Sequence, residues 1–238
     1  MTTQRYLIVN ADDFGISPGV NRGIIEARER GIVTSASLMT RWPGARDAAD
    51  YARKNPRLSV GLHIDLAEWE FRDGRWAPLY EVVDVTDEAA VRDEVRRQLE
   101  SFRDLTGRDP DHLDSHQHVH RKEPVLSVAR QCASELRVPL RHLSPEIRYR
   151  GDFYGQDAEG NSFPQAVGVG ALRELISGLG PGVTEMCCHP SRGADLRTMY
   201  LLERELELET LCDPRVRDAL AAAGVELRSF TNYRDPKT

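Results

Sequence analysis

Short apolar runs alternate with longer amphipathic stretches along nearly the whole chain. The runs at 6–10, 33–39, 58–66, 112–116, 140–143, 183–189 and 225–230 read as seven strands. Between them, residues 18–30, 43–54, 87–105, 124–136, 169–179, 195–211 and 214–223 carry helical periodicity. Punctuation supports these bounds: Ser17-Pro18 opens the first helix, Gly31 stops it, and Gly107 follows the third. Strands alternating with helices imply parallel βα units, because parallel neighbours need a crossover. Seven such units suit a closed barrel, with an open doubly wound sheet as the alternative. Two stretches break the rhythm. Residues 67–86, with Trp69, Phe71, Trp76 and Tyr80, predict an inserted hairpin. Residues 144–165, with Tyr149, Phe153, Tyr154 and Phe163, predict a long loop. Both follow strands and so belong to the C-terminal face, where such folds carry their active sites. Their aromatics suit stacking on a sugar ring or, equally, closing a loop over the core.

Composition narrows the class. The 238 residues carry 32 Lys plus Arg against 38 Asp plus Glu, a formal net charge of −6. That balance argues against a general nucleic-acid binder. No run approaches the roughly 18 apolar residues of a membrane span, and the start, Met1 to Arg5, leads into a strand without a secretory apolar region. Cys132, Cys187, Cys188 and Cys212 form no CxxC pair. A soluble, cytoplasmic enzyme of one catalytic domain over 1–238 is the expectation, with a homodimer common at this size. The tail after Tyr233 reads as loose.

Four of the seven histidines fall in Asp111-His112-Leu113-Asp114-Ser115-His116-Gln117-His118-Val119-His120. If the chain stays extended, Asp114, His116, His118 and His120 share one face, as a divalent metal site requires. Asn10-Ala11-Asp12-Asp13-Phe14-Gly15 follows the first strand. Adjacent carboxylates there repel unless a cation or shared proton intervenes, although the same residues also suit a turn and helix cap. Gly61-Leu62-His63-Ile64-Asp65-Leu66 places a histidine inside an apolar strand. In Glu185-Met186-Cys187-Cys188-His189-Pro190 the proline keeps His189 extended at a strand tip. Parallel topology would bring all four clusters to one mouth.

These motifs, in this order from residue 6 to about 231, resemble the YdjC/ChbG family of carbohydrate deacetylases. The resemblance implies a deformed (βα) barrel, an Asp-His-His metal site and removal of acetyl groups from N-acetylated sugars. Carried over residue by residue, it implies Asp13, His63 and His116 as ligands of one divalent ion. It also implies Asp12 as general base, His189 as general acid, and Arg141 as partner of Asp12 or of substrate. His118 and His120 would then support the ligands or touch substrate. Strand parity alone would instead pair His116 with His118. Two imidazoles and a carboxylate favour zinc over magnesium, although the family is often described with magnesium. The rivals are another metal-dependent barrel hydrolase, against which the absence of any histidine before His63 counts, and a non-catalytic sugar-binding module.

Overall fold

The computed structural model describes residues 3–234; the tail beyond Arg234 lies outside the described residues, as do Met1 and Thr2. A seven-stranded parallel sheet runs in the order β6-β3-β2-β1-β8-β7, with β9 also on β1. The strands are β1 (Arg5–Phe14), β2 (Ser35–Leu38), β3 (Ser59–Ile64), β6 (Leu113–Ser115), β7 (Ile147–Arg150), β8 (Gly182–Cys188) and β9 (Val225–Arg228). The antiparallel pair β4 (Ala67–Arg72) and β5 (Arg75–Glu81) forms the expected hairpin. Among the described residues, seven α-helices supply the crossovers: α1 (Pro18–Glu29), α2 (Ala45–Lys54), α3 (Glu88–Thr106), α4 (Val125–Leu136), α5 (Val169–Ser177), α6 (Leu202–Cys212) and α7 (Pro214–Ala222).

The central strand β1 is buried almost throughout, as a strand covered on both faces must be. It pairs with β8 along one edge; on the other it pairs first with β9, through Arg5–Ile8, and then with β2 from Asn10 onward. The sheet curls into a deformed barrel. Beyond β6 the ring continues through Leu140, which bridges Leu113: the Leu113 N–H donates to the Pro139 carbonyl at 2.8 Å and the Arg141 N–H to the Leu113 carbonyl at 3.0 Å.

Local chemistry fixes the helix ends. The Ser17 hydroxyl accepts from Val20 N at 3.1 Å with Pro18 behind it, and the Asp87 carboxylate accepts from the Ala89 and Ala90 amides. Gly107 closes α3 at φ 74°, a left-handed conformation natural to glycine.

Three expectations need correction. Residues 140–143 do not form a strand, because the chain turns at His142 (φ 67°) after a single bridge. The strand that completes the sheet is β7, inside the stretch read as a loop, where alternation in a short charged run (Ile-Arg-Tyr-Arg) is a weak signal. The helix expected from 195 begins only at Leu202, because the Asp195 carboxylate is pinned to α1, accepting from Ser17 Oγ at 2.8 Å and Gly19 N at 2.7 Å.

Candidate active site and metal centre

β1 delivers two consecutive carboxylates to one place because it does not stay regular. Its register on β2 slips between Ala11 and Phe14, and Asp13 sits at φ 65°. In a regular strand, neighbours face opposite ways. The bulge turns both Asp12 and Asp13 toward His63, with which each shares a cluster of donor atoms.

Asp13 Oδ1 lies 3.3 Å from His63 Nε2 and 3.1 Å from His116 Nδ1, and all three side chains are buried. Behind His63, its Nδ1 meets Asp114 Oδ1 at 2.7 Å; that partner holds the ring and leaves Nε2 turned to Asp13. On the far side Arg204, from α6, donates to Asp13 Oδ2 at 2.5 Å, so Oδ1 alone faces the imidazoles.

Expected histidine parity fails here. The strand ends at Ser115, and residues His116–Arg121 wind into a 3₁₀ turn with Gln117 and His118 at φ 48° and 53°. His116 stays with Asp13. His118 instead meets the Tyr149 hydroxyl at 3.2 Å, and His120 is held between Ser115 Oγ at 2.6 Å and the Arg141 carbonyl at 3.1 Å.

Arg141 organises the other half. Its fork grips both oxygens of Asp12 at 2.6 and 2.7 Å, and it reaches Asp114 at 2.8 Å and Glu185 at 2.6 Å. One guanidinium shared by three buried carboxylates cannot satisfy all equally. Burial pushes Asp12 up, but Arg141 outweighs it and holds the acid below its usual range; Asp114, which also has His63 beside it, is treated alike. Glu185 is the loser: burial lifts it to about 7 against the pull of Arg141.

His189, at the tip of β8, places Nε2 3.8 Å from Asp12 Oδ2 and Nδ1 3.7 Å from Glu207 Oε1. Glu207 also accepts from the His189 amide and from the Tyr200 hydroxyl. Tyr200 stacks on Tyr154 at 4.5 Å, and both rings stand edge-on to His189. The two aromatic stretches therefore divide: Phe153 fills the core, while Tyr154, Trp76 and Phe163 are exposed.

Among the described residues, three groups have donor atoms that lie within 4.8 Å of one another: Asp13-His63-His116, Asp12-His63-Asp114 and Asp12-Cys187-His189. The second is committed to Arg141. In the third, burial, with Asp12 adding to it, raises the Cys187 thiol far from its thiolate form. The first fits a cation best. Burial should depress His63 and His116, yet Asp114 draws His63 up to about 9 and Asp13 draws His116 well above its usual value. The carboxylates are asking for positive charge between the rings and Asp13 Oδ1. His116 Nε2 is also buried without a hydrogen-bond partner, 3.5 Å from Glu68 Oε2. A divalent ion between Asp13 Oδ1, His63 Nε2 and His116 Nδ1 would answer the first demand, leaving His116 Nε2 as the protonated nitrogen on the side of Glu68.

Opposite behaviour appears at the histidines held neutral. Burial lowers His112, stacked on Phe230 and bonded to Ser37, to about 4, and lowers His120 to about 4. Below the ordinary 6.5 the unfolded chain takes up protons that these sites refuse, so stability present above 6.5 is lost as pH falls through 4. Each depression is worth on the order of 3 kcal/mol. Glu185 offsets part of this, because burial lets the fold take up its proton near 7, well before the unfolded carboxyl does. The melting temperature should fall steeply from pH 6.5 to 4; a flat profile would contradict this burial.

Sequence reasoning missed Arg204 and Glu207. Both sit on one face of α6, whose charged residues run almost all round (Leu-Glu-Arg-Glu-Leu-Glu-Leu-Glu), yet Glu203, Arg204 and Glu207 are buried. The i, i+3 spacing of Arg204 and Glu207 was the available signal.

The YdjC-like family model matches residues 6–222. The chain belongs to that family. As a YdjC-like protein it is 35% identical to a carbohydrate deacetylase of Geobacillus stearothermophilus, over 96% of this chain and 98% of the relative. It is 31% identical to a chitooligosaccharide deacetylase of Serratia marcescens, over 95% and 98%. Among solved structures, an Enterococcus faecalis protein named as a candidate in cellobiose-phosphate cleavage superposes with a TM-score of 0.75 at 28% identity, covering 96% and 98%. A family 4 carbohydrate esterase from Streptomyces lividans, in complex with acetate, shares the YdjC-like fold at TM-score 0.57 and 14% identity, covering 97% and 96%. Among the described residues no helix is long and apolar enough to cross a membrane.

Proposed function

We propose that this protein is a metal-dependent hydrolase that removes the acetyl group from an N-acetylated sugar. Asp13, His63 and His116 would hold one divalent ion, zinc or magnesium. The observation that carries the reading is the division of labour between neighbours: Asp13 faces two imidazoles while Asp12, one residue away, faces an arginine and a third histidine. The names of the full-length relatives support the substrate class.

When bound, a divalent ion supplies Lewis acidity to the acetyl carbonyl and acidifies a water. The chain's own groups do the rest. Asp12 takes the water's proton; Arg141 and Asn10 occupy three of its acceptor positions, and Oδ2 retains capacity on the side of His189. Arg141 keeps that carboxylate ionised through neutral pH, at a cost in basicity. His189 delivers a proton to the departing nitrogen, oriented by Glu207 behind it. Tyr154 offers a ring face beside it on which a sugar can stack.

Purified protein should release acetate from N-acetylated sugars, and a chelator should stop it. Intact metal with no acetate from a broad panel of acetylated amino sugars would sink the assignment. His189→Ala should slow turnover about 10²- to 10⁴-fold, most on substrates with poor leaving groups; equal rates across the leaving-group series would remove it from the acid role.

A further inference from the structure

A cavity of about 910 Å³ opens at the other end of the sheet, among the segments that lead into β2 and β3 and the residues that follow β9. Its walls include Arg28, Lys54, Arg57, Arg217 and Arg228, with Glu29 the one carboxylate among them. In a chain of net charge −6 this is an unexpected concentration of cations. Among the described residues, Arg28, Lys54, Arg57 and Arg217 have no ion-pair partner, and Glu29 is engaged by the Tyr51 hydroxyl at 3.2 Å. Arg228 pairs with Glu226 at 2.7 Å, yet its Nε is buried without a hydrogen-bond partner.

Helix ends account for part of this. Arg28 donates to the Val33 and Arg57 carbonyls at 3.0 and 3.2 Å, and Arg217 to the carbonyls of Arg30 and Gly31, as cations near helix C-termini do. That account does not cover Arg57, ahead of β3, or Arg228, at the end of β9, and neither Lys54 nor Arg57 has a side-chain hydrogen bond. Five like charges from four separate segments converge on one concave space, where low-dielectric walls reinforce their field. Their crowding is felt: burial, with Arg57 adding to it, pulls Arg28 below its ordinary value.

We propose that this cavity is a binding site for a small phosphomonoester, distinct from the acetyl-hydrolysing centre. Several guanidiniums favour a phosphate, whose three oxygens accept forked donors. The volume exceeds what a bare ion needs and lies in the range of small-molecule sites. Asn55, Ser229, Thr231 and Asn232 add polar groups that suit the hydroxyls of an attached polyol.

The test is calorimetric titration of the full chain at low salt with glycerol 3-phosphate, inorganic phosphate and glycerol, beside the variant Lys54→Ala/Arg57→Ala. These two side chains make no bond in the fold, so the variant should melt as the parent does without ligand. Expected are saturable binding of the ester, tighter than of inorganic phosphate, none of glycerol, and at least about tenfold weaker ester binding in the variant. Acetate release should be unchanged in the variant. Absence of saturable ester binding up to about 10 mM, or equal binding by the variant, overturns the site; equal affinity for phosphate and ester overturns the ester. Because the readout is binding and not turnover, its failure is separable from failure of the deacetylase reading.

Discussion

Asp12→Asn is expected to lower turnover of an N-acetylated sugar by about 10²- to 10⁴-fold, the usual worth of a general base, while leaving the metal bound. The substitution keeps the shape of the side chain but removes the charge and half of the acceptor capacity. The ion would sit with Asp13, His63 and His116, none of which depends on Asp12 for a hydrogen bond. Arg141 would lose one of its two contacts to position 12, a modest loss while Asp114 and Glu185 remain. Metal content and acetate release on the same preparation check this. Loss of the ion would mean that the two aspartates exchange roles, and retained turnover would assign the base elsewhere.

Arg141→Met is expected to be the most destabilising single change in the site, by at least about 3–5 kcal/mol. That is a large part of the 5–15 kcal/mol that holds a typical domain together. Its guanidinium is the shared counter-charge of Asp12, Asp114 and Glu185, all buried within the curled sheet. Removing it leaves three carboxylates that must protonate or find water. The deficit measured by urea denaturation should therefore shrink between pH 7 and 5, as the unpaired carboxylates take up protons. Arg141→Lys, which keeps the charge and loses the fork, should fall between the two. A methionine variant within about 1 kcal/mol of the parent would show that the arginine is dispensable to folding.

Much of this architecture is written in local pattern. β1, β3 and β8 are largely apolar and mostly buried because both faces are covered, with their polar residues confined to the site, and their helices carry strong caps at Ser17 and Asp87. Where the reading failed, the deciding force is not local. Ile147–Arg150 becomes a strand because β8 offers a free edge, and residues 195–201 stay irregular because Asp195 binds the start of α1. The site shows the same split. Asp12, Asp13, His63, His116 and His189 stand out as polar groups at strand ends. The division of His116 from His118 depends on left-handed residues at 117 and 118, to which strand parity is blind. Arg204 and Glu207 lie far along the chain, on a helix whose pattern reads as solvent-exposed, and only the closed fold brings them to Asp13 and His189.

The central claim is that one aspartate of an adjacent pair binds an ion with two histidines while the other stays free. Anomalous diffraction from crystals grown with zinc tests it directly. The account predicts one strong peak within bonding distance, about 2.0–2.2 Å, of Asp13, His63 and His116, with Asp12 still held by Arg141. A peak bound by Asp12 in place of Asp13, or none at these residues in protein that releases acetate, would contradict it.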